Sequence, residues 1–294
     1  MKKIIKTRVE EKSNYKGIFF NGKTMRIAIE PSLPIEELEY PEFYDVDVFG
    51  KGQGLCLGNC PWCYLSATSE GKYVEDAVEK IKDYFGSMTE NQKPFQVALP
   101  GSGEFTMHPD WVEILKAFDD LNIMPNYTTN GMWVNPDIKT SGVTDYEQSV
   151  LDATKKYVGG VAVSCHPHLL KYWTLATNMY VNAGIKTNLH LIISDKKSID
   201  DFVEIYESFK DKVDYFVLLP YGVQGRAKHK DIDWEYLLTQ LPEDQSKLAF
   251  GANFYPYLMQ GDHGIQISLY LPEIMSKFLD LKDMKLYKSS FSTD

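Results

Sequence analysis

Cysteine is scarce in this sequence, with four in 294 residues, and three of them (Cys56, Cys60 and Cys63) fall within eight positions. That clustering excludes the disulfide framework of a secreted domain, which spreads paired cysteines along its chain. No apolar run comes near the roughly 18 residues that cross a bilayer. The opening stretch to Lys12 is too charged after Ile5 to hold a signal-peptide core, so the chain reads as cytoplasmic. Positive charge is in deficit: 31 Lys and Arg against 41 Asp and Glu leave a net charge of −10. Nonspecific binding to duplex DNA or to an anionic membrane is therefore not expected, since both need neutralised phosphates. Linkers rich in Gly, Pro or Ser are missing, and so are long repeats. What is present, 44% apolar and 24% charged residues, is the composition of a globular protein and excludes a disordered chain.

The first forty residues read as an appendage. Strand-like runs at 15–20 and 23–29 flank Asn21-Gly22, a strong hairpin signal, and Pro31, Pro34 and Pro41 then break regular structure. From about residue 42 short apolar runs alternate with amphipathic helical patterns. Strands are expected at 43–49, 95–99, 123–128, 160–164, 186–193 and 213–219. The helices between them carry apolar faces such as Trp111, Ile114, Leu115 and Phe118, or Leu169, Trp173, Ala176 and Tyr180. Six strand–helix repeats imply right-handed crossovers and a parallel sheet, with chemistry at the carboxyl ends of the strands. The residues there are polar or glycine-rich in unit after unit: 56–63, 101–104, 128–131, 164–168 and 221–226. Beyond 226 the beat weakens. Late strands at 247–254 and 265–271 and short helices at 234–241 and 273–281 are expected. The expected divisions are an N-terminal β-hairpin extension (1–41), a core (42–226) and a C-terminal α+β extension packed on it (227–294).

The cysteine run reads Gly54-Leu55-Cys56-Leu57-Gly58-Asn59-Cys60-Pro61-Trp62-Cys63-Tyr64. Three thiolates this close suit three corners of an iron–sulfur cubane. A 4Fe–4S cluster ordinarily takes four cysteines, so three leave one iron open, much as a catalytic zinc keeps one position free. The alternative, a structural zinc ion, asks for a fourth Cys or His, and none follows within forty residues of Cys63; Cys165 or a distant His would have to complete it.

Cys-x3-Cys-x2-Cys with an aromatic before the third cysteine resembles the signature of the radical SAM superfamily. The resemblance spans roughly residues 42–226. It implies a partial (β/α)6 barrel, an α/β fold, and two cofactors: one 4Fe–4S cluster, with Cys56, Cys60 and Cys63 as metal ligands, and S-adenosylmethionine chelated at the open iron. Reductive cleavage of the sulfonium then gives a 5′-deoxyadenosyl radical that abstracts hydrogen from a substrate. Gly101-Ser102-Gly103-Glu104 stands one βα unit later, where the family carries a Gly-Gly-Glu motif for the methionine amino group. Thr128-Thr129-Asn130-Gly131 resembles the Thr-Thr-Asn-Gly of several members. Ser164 and Asn188 stand where polar residues contact the ribose or carboxylate, and Trp62 is the aromatic near the adenine. For Thr128, Ser164 and Asn188, turn or strand-end capping is the competing reading. The resemblance also implies a small flavodoxin- or ferredoxin-type reductant as partner.

Two residues outside the motifs carry open readings. Cys165 follows Ser164, with His166 and His168 beside it. It is either a thiol facing the cavity, able to give a hydrogen atom to a substrate radical, or an inert buried cysteine. Arg226 either pairs its fork with a carboxylate of cofactor or substrate or forms a surface salt bridge. Residues 268–271 and 284–291 faintly resemble the SPASM or twitch extension of relatives that carry auxiliary clusters, but without cysteines, so no second cluster is expected. That likeness favours a peptide substrate of the RiPP type. A nucleoside or nucleotide substrate is the alternative, then a glycyl-radical activating role, and outside catalysis a metal-binding protein on the same scaffold.

Overall fold

A computed structural model describes residues 5–52, 54–100, 102–137, 142–222, 224–228, 230–259, 265 and 272–292. Six parallel strands form its centre: β4 (Phe43–Asp47), β5 (Gln96–Leu99), β6 (Met124–Thr129), β7 (Val161–Ser164), β8 (Thr187–Ile193) and β9 (Tyr215–Pro220) lie side by side in chain order. Before them come β1 (Ile5–Glu10), β2 (Tyr15–Phe20) and β3 (Lys23–Ala28). Five helices make the crossovers: α1 (Ala77–Gly86), α2 (Trp111–Asp120), α3 (Asp145–Tyr157), α4 (Leu170–Asn182) and α5 (Lys196–Phe209). A sixth, α6 (Trp234–Gln240), follows β9.

Alternation along the strands divides the sheet into two faces. Tyr44, Val46, Val97, Leu99, Tyr127, Val161, Val163, Leu189, Leu191, Phe216 and Leu218 are all buried. They pack in one cluster with the helical faces, including Ile81, Phe85, Ile114, Phe118, Trp173 and Phe202. The opposite face carries the half-buried Asp45, Ala98, Asn126, Thr128, Ala162, Ser164, Asn188 and His190. The sheet curls about this second face. The loops after β4 and β9 touch, the Arg226 amide reaching the Cys63 carbonyl at 3.0 Å, whereas five strand spacings in a flat sheet would separate those strands by about 24 Å.

Both ends of the chain add to this barrel. The expected hairpin is β2 and β3, and β1 pairs with β2 to make three antiparallel strands. Phe19 stacks on Phe95 at 5.5 Å and packs with Met124, while Tyr15 donates to Glu42, which also accepts from Arg26. This small sheet thus covers the end where strands begin and leaves the carboxyl ends free. The C-terminal segment joins the main sheet at both margins. β10 (Leu248–Phe250) lies parallel to β9, while β11 (Ser276–Asp280) lies parallel to β4 and antiparallel to β12 (Lys285–Tyr287).

Three expectations need correction. The helix at 273–281 is only the turn Pro272–Met275, after which the chain is strand β11. Phe278 and Leu279, adjacent in the chain and so on opposite faces of the sheet, are both buried there. The strand at 247–254 stops at Phe250, followed by short helical turns. β1 was not anticipated, because its burial is inverted: Arg8 is buried, donating to the carbonyls of Tyr40 and Pro41, while Val9 is exposed. The strand expected at 265–271 lies outside the described residues except for Ile265.

Candidate active site

The cysteine loop leaves the carboxyl end of β4 and is closed at its base by backbone bonds, Cys56 N to Thr68 O at 2.8 Å and Thr68 N to Gly54 O at 3.1 Å. Gly54 is needed here for a close approach: a Cβ on it would stand 1.8 Å from the Ser102 carbonyl oxygen. The Glu104 amide completes the splice by donating to the Leu55 carbonyl at 2.8 Å. The loop's outward carbonyls are tied as well. His168 Nε2 donates to Gly58 O at 2.8 Å, and Arg226 Nε donates to Cys60 O at 3.1 Å.

Cys56, Cys60 and Cys63 are free thiols. Burial pushes the Cys56 thiol up to about 12, with Glu104 and the two neighbouring thiols adding to the rise. Burial and then Cys63 push Cys60 up to about 11. Cys56 and Cys60, their ionisation opposed by burial and by neighbouring thiols, call for a cation, which deprotonates a coordinating thiol outright. Among the described residues, no three Cys, His, Asp or Glu side chains converge as the ligands of a single ion. A zinc ion holds sulfur at about 2.3 Å and would draw its ligands together. A cubane of four irons and four sulfides is larger, and its thiolates stand further apart. The donor set, with N–H groups aimed at the Cys56 sulfur, fits such a cluster.

The turn after β5 faces its own chain. Ser102 donates to Asp47, and Glu104 Oε1 accepts from Thr129 Oγ1 at 2.6 Å and Thr106 Oγ1 at 2.9 Å. Glu104 Oε2 accepts from the Asn130 amide at 2.7 Å. The carboxyl is held above its ordinary range by burial, against the pull of these donors. In this arrangement Glu104 pins the loops after β5 and β6 together. Gly103 lies against Leu55 and Phe49, and Gly101 lies outside the described residues.

Strand register groups the inner face into rows. Asp45, Ala98 and Asn126 share one; Thr128, Ala162 and Asn188 the next; Ser164, His190 and Val217 the one nearest the carboxyl ends. Thr128, Ser164 and Asn188 are thus brought to one polar wall. Asp45 and Asn126 also belong to it and were missed. Their signal was the polar residue between buried neighbours, as in Tyr44-Asp45-Val46. Burial raises Asp45 to about 7 and lowers His190 to about 4.

Trp62 stands edge-on to His168 at 5.2 Å and to His166 at 5.8 Å. Its indole Nε1 is buried with no hydrogen-bond partner among the described residues. Cys165 departs from the cavity-facing reading. It continues the face of Val161 and Val163, lies in the apolar core with its thiol against the Val163 carbonyl at 3.8 Å, and burial pushes that thiol well above its ordinary value. The alternation that presents Ser164 to the inner wall turns Cys165 away from it. Arg226 ties the loop after β9 to the cysteine loop, its Nε donating to the Cys60 carbonyl and its amide to the Cys63 carbonyl.

No curated protein matches the sequence. Among solved structures, Streptococcus suis SuiB bound to its precursor peptide SuiA has a TM-score of 0.61 at 15% identity, over 87% of this chain and 61% of that one. Native anSMEcpe with bound AdoMet has 0.56 at 13% identity, over 86% and 76%. A radical SAM methyltransferase from Sphaerobacter thermophilus has 0.51 at 11% identity, over 84% and 77%. These likenesses concern the fold, and the chain spans about three fifths of SuiB's length. The sequence model described as the Radical SAM superfamily, a family that uses a 4Fe–4S cluster and S-adenosylmethionine, matches residues 52–211, more than half of the chain. The chain therefore belongs to the radical SAM superfamily.

Proposed function

We propose that Cys56, Cys60 and Cys63 hold a 4Fe–4S cluster and that S-adenosylmethionine lies between its open iron and the polar wall of the barrel. The observation that carries this reading is the cysteine loop itself: three free thiols, spliced by Gly54 to the glycine turn and facing the carboxyl ends of the strands. When bound, the two cofactors supply an electron and a sulfonium whose cleavage gives a 5′-deoxyadenosyl radical that takes hydrogen from the substrate.

The chain's own residues bind, orient and exclude water. Thr128, Asn188 and Ser164 offer hydrogen bonds along the wall to the cofactor's ribose and carboxylate, and the unpartnered Trp62 Nε1 is a donor at the mouth of the loop. Glu104 acts as a positioning residue, since four protein donors from Thr106, Thr129 and Asn130 already occupy its carboxylate. The substrate is a peptide. The fold shared with SuiB, whose structure holds a precursor peptide, and the faint likeness of 284–291 to peptide-modifying relatives support that choice. A small flavodoxin- or ferredoxin-type protein supplies the electron.

The test is anaerobic reconstitution with iron and sulfide, reduction with dithionite and addition of S-adenosylmethionine. Formation of 5′-deoxyadenosine is expected, and Cys60→Ala should lose both the brown chromophore and the cleavage. An intact cluster that releases no nucleoside product would point instead to a non-catalytic metal-binding protein. Incubation with peptide or nucleotide pools then separates the two substrate classes by which pool loses hydrogen to the cofactor.

A further inference from the structure

We infer that Asn130 tunes the cluster through Cys56: its side-chain amide donates to the Cys56 sulfur and makes a cluster held there easier to reduce. The inference rests on the reading of the three cysteines as cluster ligands. Asn130 Nδ2 stands 3.4 Å from Cys56 Sγ. The orientation of the amide is fixed, because Oδ1 accepts from the Met132 amide at 2.9 Å and so only the NH2 group faces sulfur. The main chain is fixed too, with the Asn130 amide on Glu104 Oε2 at 2.7 Å and Thr129 Oγ1 on Glu104 Oε1 at 2.6 Å. Asn130 is buried, which limits competition from water for the bond.

The approach depends on what is missing from Gly58. A Cβ there would stand 3.0 Å from Asn130 Nδ2 and 3.3 Å from Cys56 Sγ, between donor and acceptor. Instead the Gly58 amide adds a second N–H to the same sulfur at 3.3 Å. Hydrogen bonds to cluster sulfurs set reduction potential along with net charge and solvent access. The reduced cluster carries one more negative charge than the oxidised one, so an N–H dipole aimed at its sulfur stabilises the reduced form more. Removing the donor lowers the potential. The chain Glu104–Asn130–Cys56 also gives the buried carboxylate a purpose, which is to aim the amide.

The test compares reconstituted wild type with Asn130→Asp and Asn130→Leu by EPR-monitored redox titration, with iron and sulfide assayed in parallel. Asn130→Asp keeps the acceptor for Met132 and replaces the donor by a carboxylate oxygen; Asn130→Leu removes the donor without adding charge. Both should keep the cluster and reduce less readily, the aspartate by tenfold or more in the reduction equilibrium, a tenfold one-electron shift being about 59 mV. A reduction equilibrium within threefold of wild type in Asn130→Leu would overturn the inference whatever the aspartate does, since its charge alone lowers the potential. So would variants that fold, by far-UV circular dichroism, but no longer take up iron, or that both fail to fold, because Asn130 would then be a structural tie. A wild type that assembles no cluster would sink the reading of the cysteines themselves, and this inference with it.

Discussion

Gly54 and Ser102 lie so close that adding one methyl group forces the cysteine loop off the glycine turn. The obstacle is a backbone carbonyl, which no side-chain rotation relieves, so Gly54→Ala should cost about 1–3 kcal/mol as an overpacking change. Iron uptake should fall with it. A wild-type melting temperature together with wild-type iron content in that variant would contradict the splice. Asp45 gives a second residue-scale expectation. Burial raises its carboxyl from 3.8 to about 7, so the folded chain keeps a proton that the unfolded chain releases between those values. Its contribution to stability is present below about pH 4 and is lost as pH rises through 7. Asn cannot ionise, so Asp45→Asn should gain on wild type across that window in the cofactor-free chain. The gain is up to about 4 kcal/mol at 1.36 kcal/mol per unit. Urea unfolding at pH 5 and pH 8 checks this, and an equal difference between the two proteins at both values would contradict it.

At the scale of elements, the loop after β9 holds the loop after β4. Arg226 donates to the Cys60 and Cys63 carbonyls through its side chain and its main chain respectively. Arg226→Ala removes the first bond and keeps the second. The reconstituted variant should lose its visible chromophore to a chelator several-fold faster than wild type, with global stability changed by about 1 kcal/mol; an unchanged rate would show that Arg226 does not brace the loop. The six core strands were legible because apolar runs separated by amphipathic helices have few other solutions. The cysteine cluster was legible because three of only four thiols fall within eight residues. Legibility failed where burial and polarity part company. β1 alternates but with burial inverted, hiding Arg8 and exposing Val9, and β11 is buried on both sides, so neither carries the apolar-inward pattern of a half-buried strand. Within the site, Asp45 and Asn126 escaped notice because only register across neighbouring strands shows which polar residues share a wall. The same ambiguity left Cys165 undecided until its face was known.

Across the whole molecule the two chain ends close opposite ends of the barrel. The N-terminal sheet seals the bottom through Phe19, Phe95 and Met124. At the top, the segment after β12 runs between the loops of β4 and β9. Phe291 stacks on Tyr64 at 4.8 Å, Gln224 Nε2 donates to the Phe291 carbonyl at 3.0 Å, and Lys51 donates to Ser292. An aromatic pair of this kind is worth about 0.5–1.5 kcal/mol beyond its buried area. Phe291→Ala should therefore speed amide exchange several-fold at 285–292 and in the loop that carries Tyr64, whereas unchanged protection would mean that the tail does not brace the mouth. The open end bears most directly on the proposal that the three thiols hold a cluster with one metal corner free. The most direct measurement is metal and sulfide analysis with EPR of the reduced, anaerobically reconstituted chain, recorded with and without S-adenosylmethionine. About four irons and four sulfides per chain, with a spectrum that changes when S-adenosylmethionine is added, are expected. A single metal ion without sulfide, or a cluster spectrum indifferent to S-adenosylmethionine, would contradict it.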